Sequence, residues 1–176
     1  MAANDTISVR RLHAVDEREL SGLADVLIDC VEGGASISFM RPLSREKALA
    51  FWRDVAERVR RGANVLLVAE DEAGIVGTVQ LVLELPENQP HRAELAKMIV
   101  HRRGRRRGIG GMLLQAAEEI ALQHGRTLLV LDTASADAER LYERQGWVRV
   151  GTVPDYALLP DGRRCDTVFF YRQLES

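Results

Sequence analysis

The chain has 176 residues, 46% hydrophobic and 28% charged, with a formal net charge of −2: one ordinary domain with enough apolar material for a core, and a charge balance that by itself indicates no partner. Cys30 and Cys165 stand far apart without CxxC spacing, which excludes a disulfide framework and fits a reducing cytoplasm. The opening MAANDTISVRRL lacks the apolar core of a signal peptide, and no uncharged apolar run nears the ~18 residues of a membrane helix, so no membrane partner is expected.

Thr6 to Leu12 alternates as a first strand. Asp16 with Glu19 three residues on predicts a helix start of capping-box type, after which Leu20, Leu23, Leu27 and Val31 hold one face until Gly33-Gly34 stops it. A loop through Ser36, Phe39 and Met40 leads to a second helix from Ser44. Its buried stripe is Ala48, Phe51, Trp52, Val55 and Val59, and Arg60-Arg61 puts cations at its end. Asn64 to Asp71 and Ile75 to Leu85 read as a hairpin, and Glu94 to Val100 as a fourth strand. An arginine- and glycine-rich segment then opens a helix with apolar Ile109, Met112, Leu113, Ala116, Ala117 and Ile120. Thr127 to Asp132 is almost wholly apolar, the pattern of a strand buried on both faces. Ser135 to Arg144 is a short helix; Trp147 to Val153 and Thr167 to Tyr171 are the last strands, with Pro154-Asp155-Tyr156 a turn. The order β-α-α-β-β-β-α-β-α-β-β, without repeat or linker, predicts one mixed α/β domain over residues 1–176.

The informative segment runs from Met98 to Gly111, MIVHRRGRRRGIGG, between a strand and an amphipathic helix. Glycines there allow successive N–H groups to point into one concavity, and such a nest at a helix start binds phosphate through unpaired donors and the helix dipole. The segment is not a Walker motif, since no Lys-Ser/Thr follows, and Gly108-Ile109-Gly110-Gly111 lacks the last interval of GxGxxG. Read alone, the glycines can equally be a turn and the arginines a solvated face. A nucleic-acid surface is disfavoured, because aromatics are only 5% and none interleave with the arginines.

Arg105, Gly108 and Gly110 do fit [Q/R]-x-x-G-x-[G/A], and Ala138-Glu139-Arg140-Leu141-Tyr142-Glu143-Arg144-Gln145-Gly146-Trp147 fits A-x-x-L-Y-E-x-x-G-F. On these two elements the chain resembles the GNAT superfamily of N-acetyltransferases. Further stretches are similar to the tabtoxin-resistance type of that superfamily, which acetylates a β-lactam amino-acid toxin: Val31 to Ser36 with Phe39-Met40, Arg92-Ala93-Glu94, Leu131-Asp132-Thr133 and Pro160 to Arg163. The chain departs from the pattern at His101-Arg102, where a proline is frequent, at Arg106, where glycine is common, and at Ser135, where asparagine is common.

The resemblance implies a mixed, mostly antiparallel central sheet with flanking helices, and acetyl-CoA as cosubstrate. Its phosphates and pantetheine would lie on Met98, Ile99, Val100, Arg105, Arg106, Arg107, Gly108, Ile109, Gly110, Gly111 and Ser135. It implies Glu94 and Asp132 as the acid–base pair and Tyr142 as the residue facing the coenzyme A sulfur. An ammonium cannot attack a thioester, so a carboxylate must take its proton directly or through water. Partial burial at the end of an apolar strand would raise the pKa of Asp132. Glu94 can instead be a strand-end residue paired with Arg92 or Lys97, Asp132 a helix cap, and Tyr142 a core tyrosine. Gly33, Gly34, Phe39 and Tyr156 are expected over the substrate cleft, although Gly33-Gly34 can simply cap the helix and the two aromatics cover core. Cys30 and Cys165 read as structural, and the four histidines lack metal-ligand spacing, so no metal is expected. The expected acceptor is a small-molecule amine. A protein N-terminus, a lysine, an antibiotic and a non-catalytic coenzyme A-binding module stay open, as does a homodimer.

Overall fold

The computed structural model describes residues 6–175; residues 1–5 and 176, which the single-domain reading includes, lie outside the described residues. In chain order the elements are β1 (Ser8–Leu12), α1 (Glu17–Glu32), α2 (Arg45–Arg60), β2 (Asn64–Asp71), β3 (Gly74–Val82), β4 (Arg92–Val100), a 3-10 turn (Arg102–Gly104), α3 (Ile109–Gln123), β5 (Leu128–Thr133), α4 (Ala136–Arg144), β6 (Val148–Leu158) and β7 (Arg164–Gln173). Local chemistry sets several of these boundaries. The Asp16 carboxylate accepts from the Glu19 N–H at 2.7 Å and Glu19 accepts from the Asp16 N–H at 2.9 Å, a reciprocal cap worth about 1 kcal/mol. Ser44 caps α2 by accepting from the Lys47 N–H at 3.1 Å.

The sheet order is β1-β2-β3-β4-β5-β7-β6. Every neighbouring pair is antiparallel except β4–β5, which is parallel. Helices cover both faces. On one face Leu67, Val79, Leu81, Leu95, Leu129 and Leu131 pack with Leu113, Leu114 and Ala117 of α3. On the other, Leu66, Val68, Ile75 and Ile99 pack with Leu23, Leu27 and Trp52 of α1 and α2.

What matters for function is how the parallel pair ends. β4 and β5 are paired only at Arg92–Leu128, Ala93–Leu129 and Glu94–Val130. Just beyond, the β3–β4 register jumps from Gln80–Ala96 to Thr78–Ile99, so β4 carries one extra residue, and Lys97 there has φ 51. A bulged strand bends. β4 therefore parts from β5 and leaves a wedge in the sheet.

Three sequence expectations need correction. β5 is not buried on both faces: Leu129 and Leu131 are buried, Leu128 and Val130 half-buried and Asp132 exposed, because no helix covers the outer face of β5. Pro154, Asp155 and Tyr156 are not a turn but lie within β6, at a bulge where Asp155 takes φ 52. The last strands are also longer than their apolar cores, since cross-strand pairing carries polar residues with it.

Gly104 is where the chain passes closest to the sheet. A Cβ there would overlap Val76 Cγ2 and lie 2.9 Å from Ile109 Cδ1. Valine is stiff at χ1 and cannot swing away, so Gly104→Ala should destabilise the fold by about 1–3 kcal/mol. An unchanged urea midpoint for that variant would show that the turn has room to relax.

Candidate active site

The segment before α3 is built from conformations few residues tolerate. Arg106 has φ 62, and Gly108, the residue capping α3, has φ 74 and ψ 10. A Cβ on Gly110 would come within 2.7 Å of Leu141 Cδ2, so glycine there lets α4 close on α3. The start of α3 has no side-chain cap and no acidic residue in its first turn. The first-turn N–H groups, Ile109 to Gly111, thus lack intrahelical partners and face outward with the positive end of the helix dipole.

The arginine run divides. Arg102 donates its backbone N–H to Asp29 Oδ2 at 2.8 Å and pairs with the same carboxylate through its side chain. Arg103 and Arg107 both reach Asp71 Oδ2, at 2.5 and 2.9 Å. The Arg103 hydrogen bond, with Arg107 adding to it, outweighs burial and holds the Asp71 carboxyl down at about 2. These three guanidiniums fasten the segment to α1 and to the β2–β3 turn. Arg105 and Arg106 are exposed, and Arg105 Nη2 approaches Gly33. Arg107, expected on the cofactor, is engaged with Asp71.

At the wedge, Glu94 and Asp132 lie on the same sheet face, the register Glu94–Val130 placing Asp132 two residues further along β5. Asp132 Oδ2 accepts from Thr167 Oγ1 at 2.7 Å. It caps no helix: Ser135 does, accepting from the Ala138 N–H at 3.3 Å. The Asp132 side chain is exposed, so the partial burial expected of it is not found. Glu94 is exposed and bonded to Arg92 Nη1 at 3.2 Å, the bland pairing foreseen for it.

Tyr142 stands on the opposite face. It is 4% exposed, with ring centroids of Trp147 and Phe170 each 5.7 Å away. Burial, and secondarily the negative charge of Asp132, push its phenol well above the usual tyrosine range. It therefore keeps its proton throughout the neutral range, and Asp132 lies within electrostatic reach across the wedge. Met98, Ile99 and Val100 follow the bulge and line the β4 side.

The loop between α1 and α2 roofs this region. Ser36 Oγ donates to Leu158 O at 3.1 Å and the Arg41 N–H to Pro160 O at 3.0 Å, tying it to the β6–β7 hairpin. Lys97 Nζ donates to Ser38 Oγ at 2.8 Å, tying it to β4. Phe39 turns away to meet Phe51 edge-on, 5.3 Å between centroids, and covers core. Gly33 ends α1 and Gly34 turns the chain with φ 93. Tyr156 is half exposed and meets Phe169, the residue paired with Asp132. Thr167 and Ser38 escaped the sequence reading, and Lys97 entered it only as an alternative partner of Glu94. A polar residue at the head of the apolar run Val168 to Phe170 was the one available signal for Thr167.

Two surface concavities flank these elements. One of about 480 Å³ lies at the open end of β5, lined by Thr133, Glu139, Arg149, Arg164 and Asp166 among others. A larger one of about 840 Å³ lies between α1 and the β2–β3 turn, walled by charged residues such as Asp16 and Arg18; it is away from Asp132 and Tyr142. Cys30 is buried, donates to Val100 O at 3.4 Å, and has its thiol pushed up to about 11 by burial, which leaves it inert at neutral pH. No group of three or more His, Cys, Asp or Glu able to hold a metal occurs among the described residues, and no helix among them is long and apolar enough to cross a membrane.

The sheet is thus mixed and seven-stranded, splits at its one parallel pair and carries helices on both faces. Residues 34–147 match the model of the acetyltransferase (GNAT) family. The chain belongs to that family and is an acetyl-CoA-dependent N-acetyltransferase. The ribosomal-protein-alanine N-acetyltransferase of Brucella melitensis is 26% identical, with 95% of this chain and 99% of that one covered at a TM-score of 0.80. Two more distant structures share the fold. Salmonella typhimurium yncA, solved with its cofactor acetyl-CoA, is 21% identical over 97% of this chain and 95% of that one (TM-score 0.77). A phosphinothricin acetyltransferase from Sinorhizobium meliloti, in complex with AcCoA, is 18% identical over 96% and 89% (TM-score 0.77).

Proposed function

We propose that this chain transfers the acetyl group of acetyl-CoA to the primary amine of a small, amino acid-like molecule by direct attack within a ternary complex. The observation that carries the reading is the placement of Asp132 and Tyr142 on opposite faces of the sheet beside the parting of β4 and β5, close enough for the charge of Asp132 to act on the phenol. The cofactor's pyrophosphate would lie on the uncapped start of α3, on the N–H groups of Ile109 to Gly111 with Arg105 and Arg106 beside them. Its pantetheine arm would enter the wedge along Met98 to Val100, whose backbone N–H groups supply donors to the carbonyl oxygen as it gains charge.

The amine nitrogen, having lost its proton to Asp132 directly or through water, bonds to the carbonyl carbon. The nitrogen, now cationic, gives its second proton to solvent as the C–S bond breaks. The thiolate takes the proton of the Tyr142 phenol, whose phenolate is reprotonated from solvent, and Asp132 releases the first proton, so one proton is set free per turnover. No covalent acyl-enzyme is required, which fits the inertness of Cys30. Thr167 holds one Asp132 oxygen and leaves the other for the amine. Glu94, engaged with Arg92, is the weaker candidate for base. Resemblance over the α1–α2 loop and the strand ends favours the tabtoxin-resistance type of acceptor, and a single cytoplasmic domain suffices for this chemistry. The competing acceptor is a protein N-terminus, as the name of the Brucella enzyme indicates for that protein.

Asp132→Asn keeps the shape and the Thr167 contact but removes the proton acceptor. Amine turnover should fall roughly 10²- to 10⁴-fold, while acetyl-CoA affinity, measured by titration calorimetry, should hardly move. Full activity in this variant would move the base elsewhere.

A further inference from the structure

The cleft side of the wedge holds one cation that the chemistry above does not use. Lys97 occupies the left-handed bulge position of β4, and its ammonium crosses to the α1–α2 loop to donate one N–H to Ser38 Oγ at 2.8 Å. Ser38 itself is held at φ 78, an uncommon conformation for a residue with a Cβ. The ammonium is half-buried, and burial pulls its pKa down against the opposing pull of Asp132. Its hydrogen bond goes to a neutral hydroxyl, and the negative charge of Asp132 acts on it without a direct contact. A half-buried cation whose nearest negative charge does not touch it is incompletely compensated, which leaves room for a ligand's anionic group beside it.

Resting on the reading that this cleft acetylates amines, we propose that Lys97 recognises the carboxylate of the acceptor, which makes the acceptor a free amino acid or close analogue. Its ammonium meets Asp132 and its carboxylate meets Lys97. A zwitterion compensates both charges of the cleft at once and is oriented by them, with the nitrogen on the side of the base. A peptide N-terminus carries an amide where the carboxylate would be and leaves the Lys97 ammonium uncompensated. A site built for a charged partner rejects the analogue that lacks it more strongly than an apolar pocket rejects a wrong shape. The bond to Ser38 fixes where the ammonium points, which makes Ser38 a positioning residue.

The test measures thiol release at saturating acetyl-CoA with the twenty L-amino acids and the corresponding amino-acid amides. For the best acid, wild type should favour acid over amide in kcat/KM by roughly 10-fold or more, the size of one charge-assisted hydrogen bond. Lys97→Met should bring that ratio towards one, chiefly by raising KM for the acid, and Lys97→Arg should restore part of it. Thermal melting and acetyl-CoA titration of each variant report whether the fold and cofactor site persist. A wild-type enzyme indifferent to the carboxylate, one that prefers amides or peptides, or a Lys97→Met variant that keeps the preference overturns the assignment of Lys97 alone. No thiol release with any acid, amide or peptide overturns the acetyl-transfer reading and this one with it.

Discussion

Tyr142→Phe is expected to lower turnover about 10²-fold or more while the protein stays folded. The ring contributes to the core through Trp147 and Phe170, and phenylalanine keeps those contacts. What is lost is the proton that, in the proposed mechanism, quenches the departing thiolate. Burial and the charge of Asp132 raise the phenol pKa, so the group is in its acidic form at all neutral pH values and the wild-type rate should not fall through its ionisation there. Rapid-quench measurement of a single turnover isolates the chemical step from product release. If that step proceeds at the wild-type rate in Tyr142→Phe, water or another group supplies the proton. Loss of folding would instead count the residue as core alone.

Gly108→Asp should weaken acetyl-CoA binding roughly 10²-fold, corresponding to about 2.7 kcal/mol for like charges brought together. The position has φ 74, and nothing lies within 4 Å of where a Cβ would stand, so space is ample and only the backbone conformation resists. Aspartate and asparagine are the L-residues that best tolerate it, at about 1–2 kcal/mol. A carboxylate at the start of α3 would also favour the helix dipole and fill the vacant cap, offsetting that strain. The same carboxylate would sit where the pyrophosphate is proposed to lie. Gly108→Asn is the control, having the shape without the charge. Calorimetric titration should show the Asp variant far weaker than the Asn variant, with the gap narrowing as salt is raised. Equal weakening by both would assign the defect to backbone strain.

The elements and the cofactor segment were legible because their signals are local. Helix periods, the Asp16–Glu19 cap, the Ser44 cap and the glycines at 108 and 110 each act within a few residues. Asp132 stood out for an equally local reason, as the one charge ending the apolar run Leu128 to Leu131. Even so, the length of an apolar run could not tell whether a helix covers one face of β5 or two, and the stretch Val150 to Val153 could not show that β6 continues past it.

The rest was decided by contacts between residues distant in sequence. Which arginines are available to a phosphate depends on Asp29 and Asp71, and nothing in the run Arg102 to Arg107 marks three of its members as tethered. Thr167 reaches Asp132 because β5 pairs with β7. Lys97 reaches Ser38 because one extra residue in β4, set by its register with β3, turns that side chain out of the strand's alternation. The amino-acid sequence by itself determined most of the elements and the glycine-bearing start of α3, and it offered Glu94, Asp132 and Tyr142 as candidates. Only the tertiary structure decided that β4 and β5 separate after three pairs, because strand register is a property of the assembled sheet and not of any one strand.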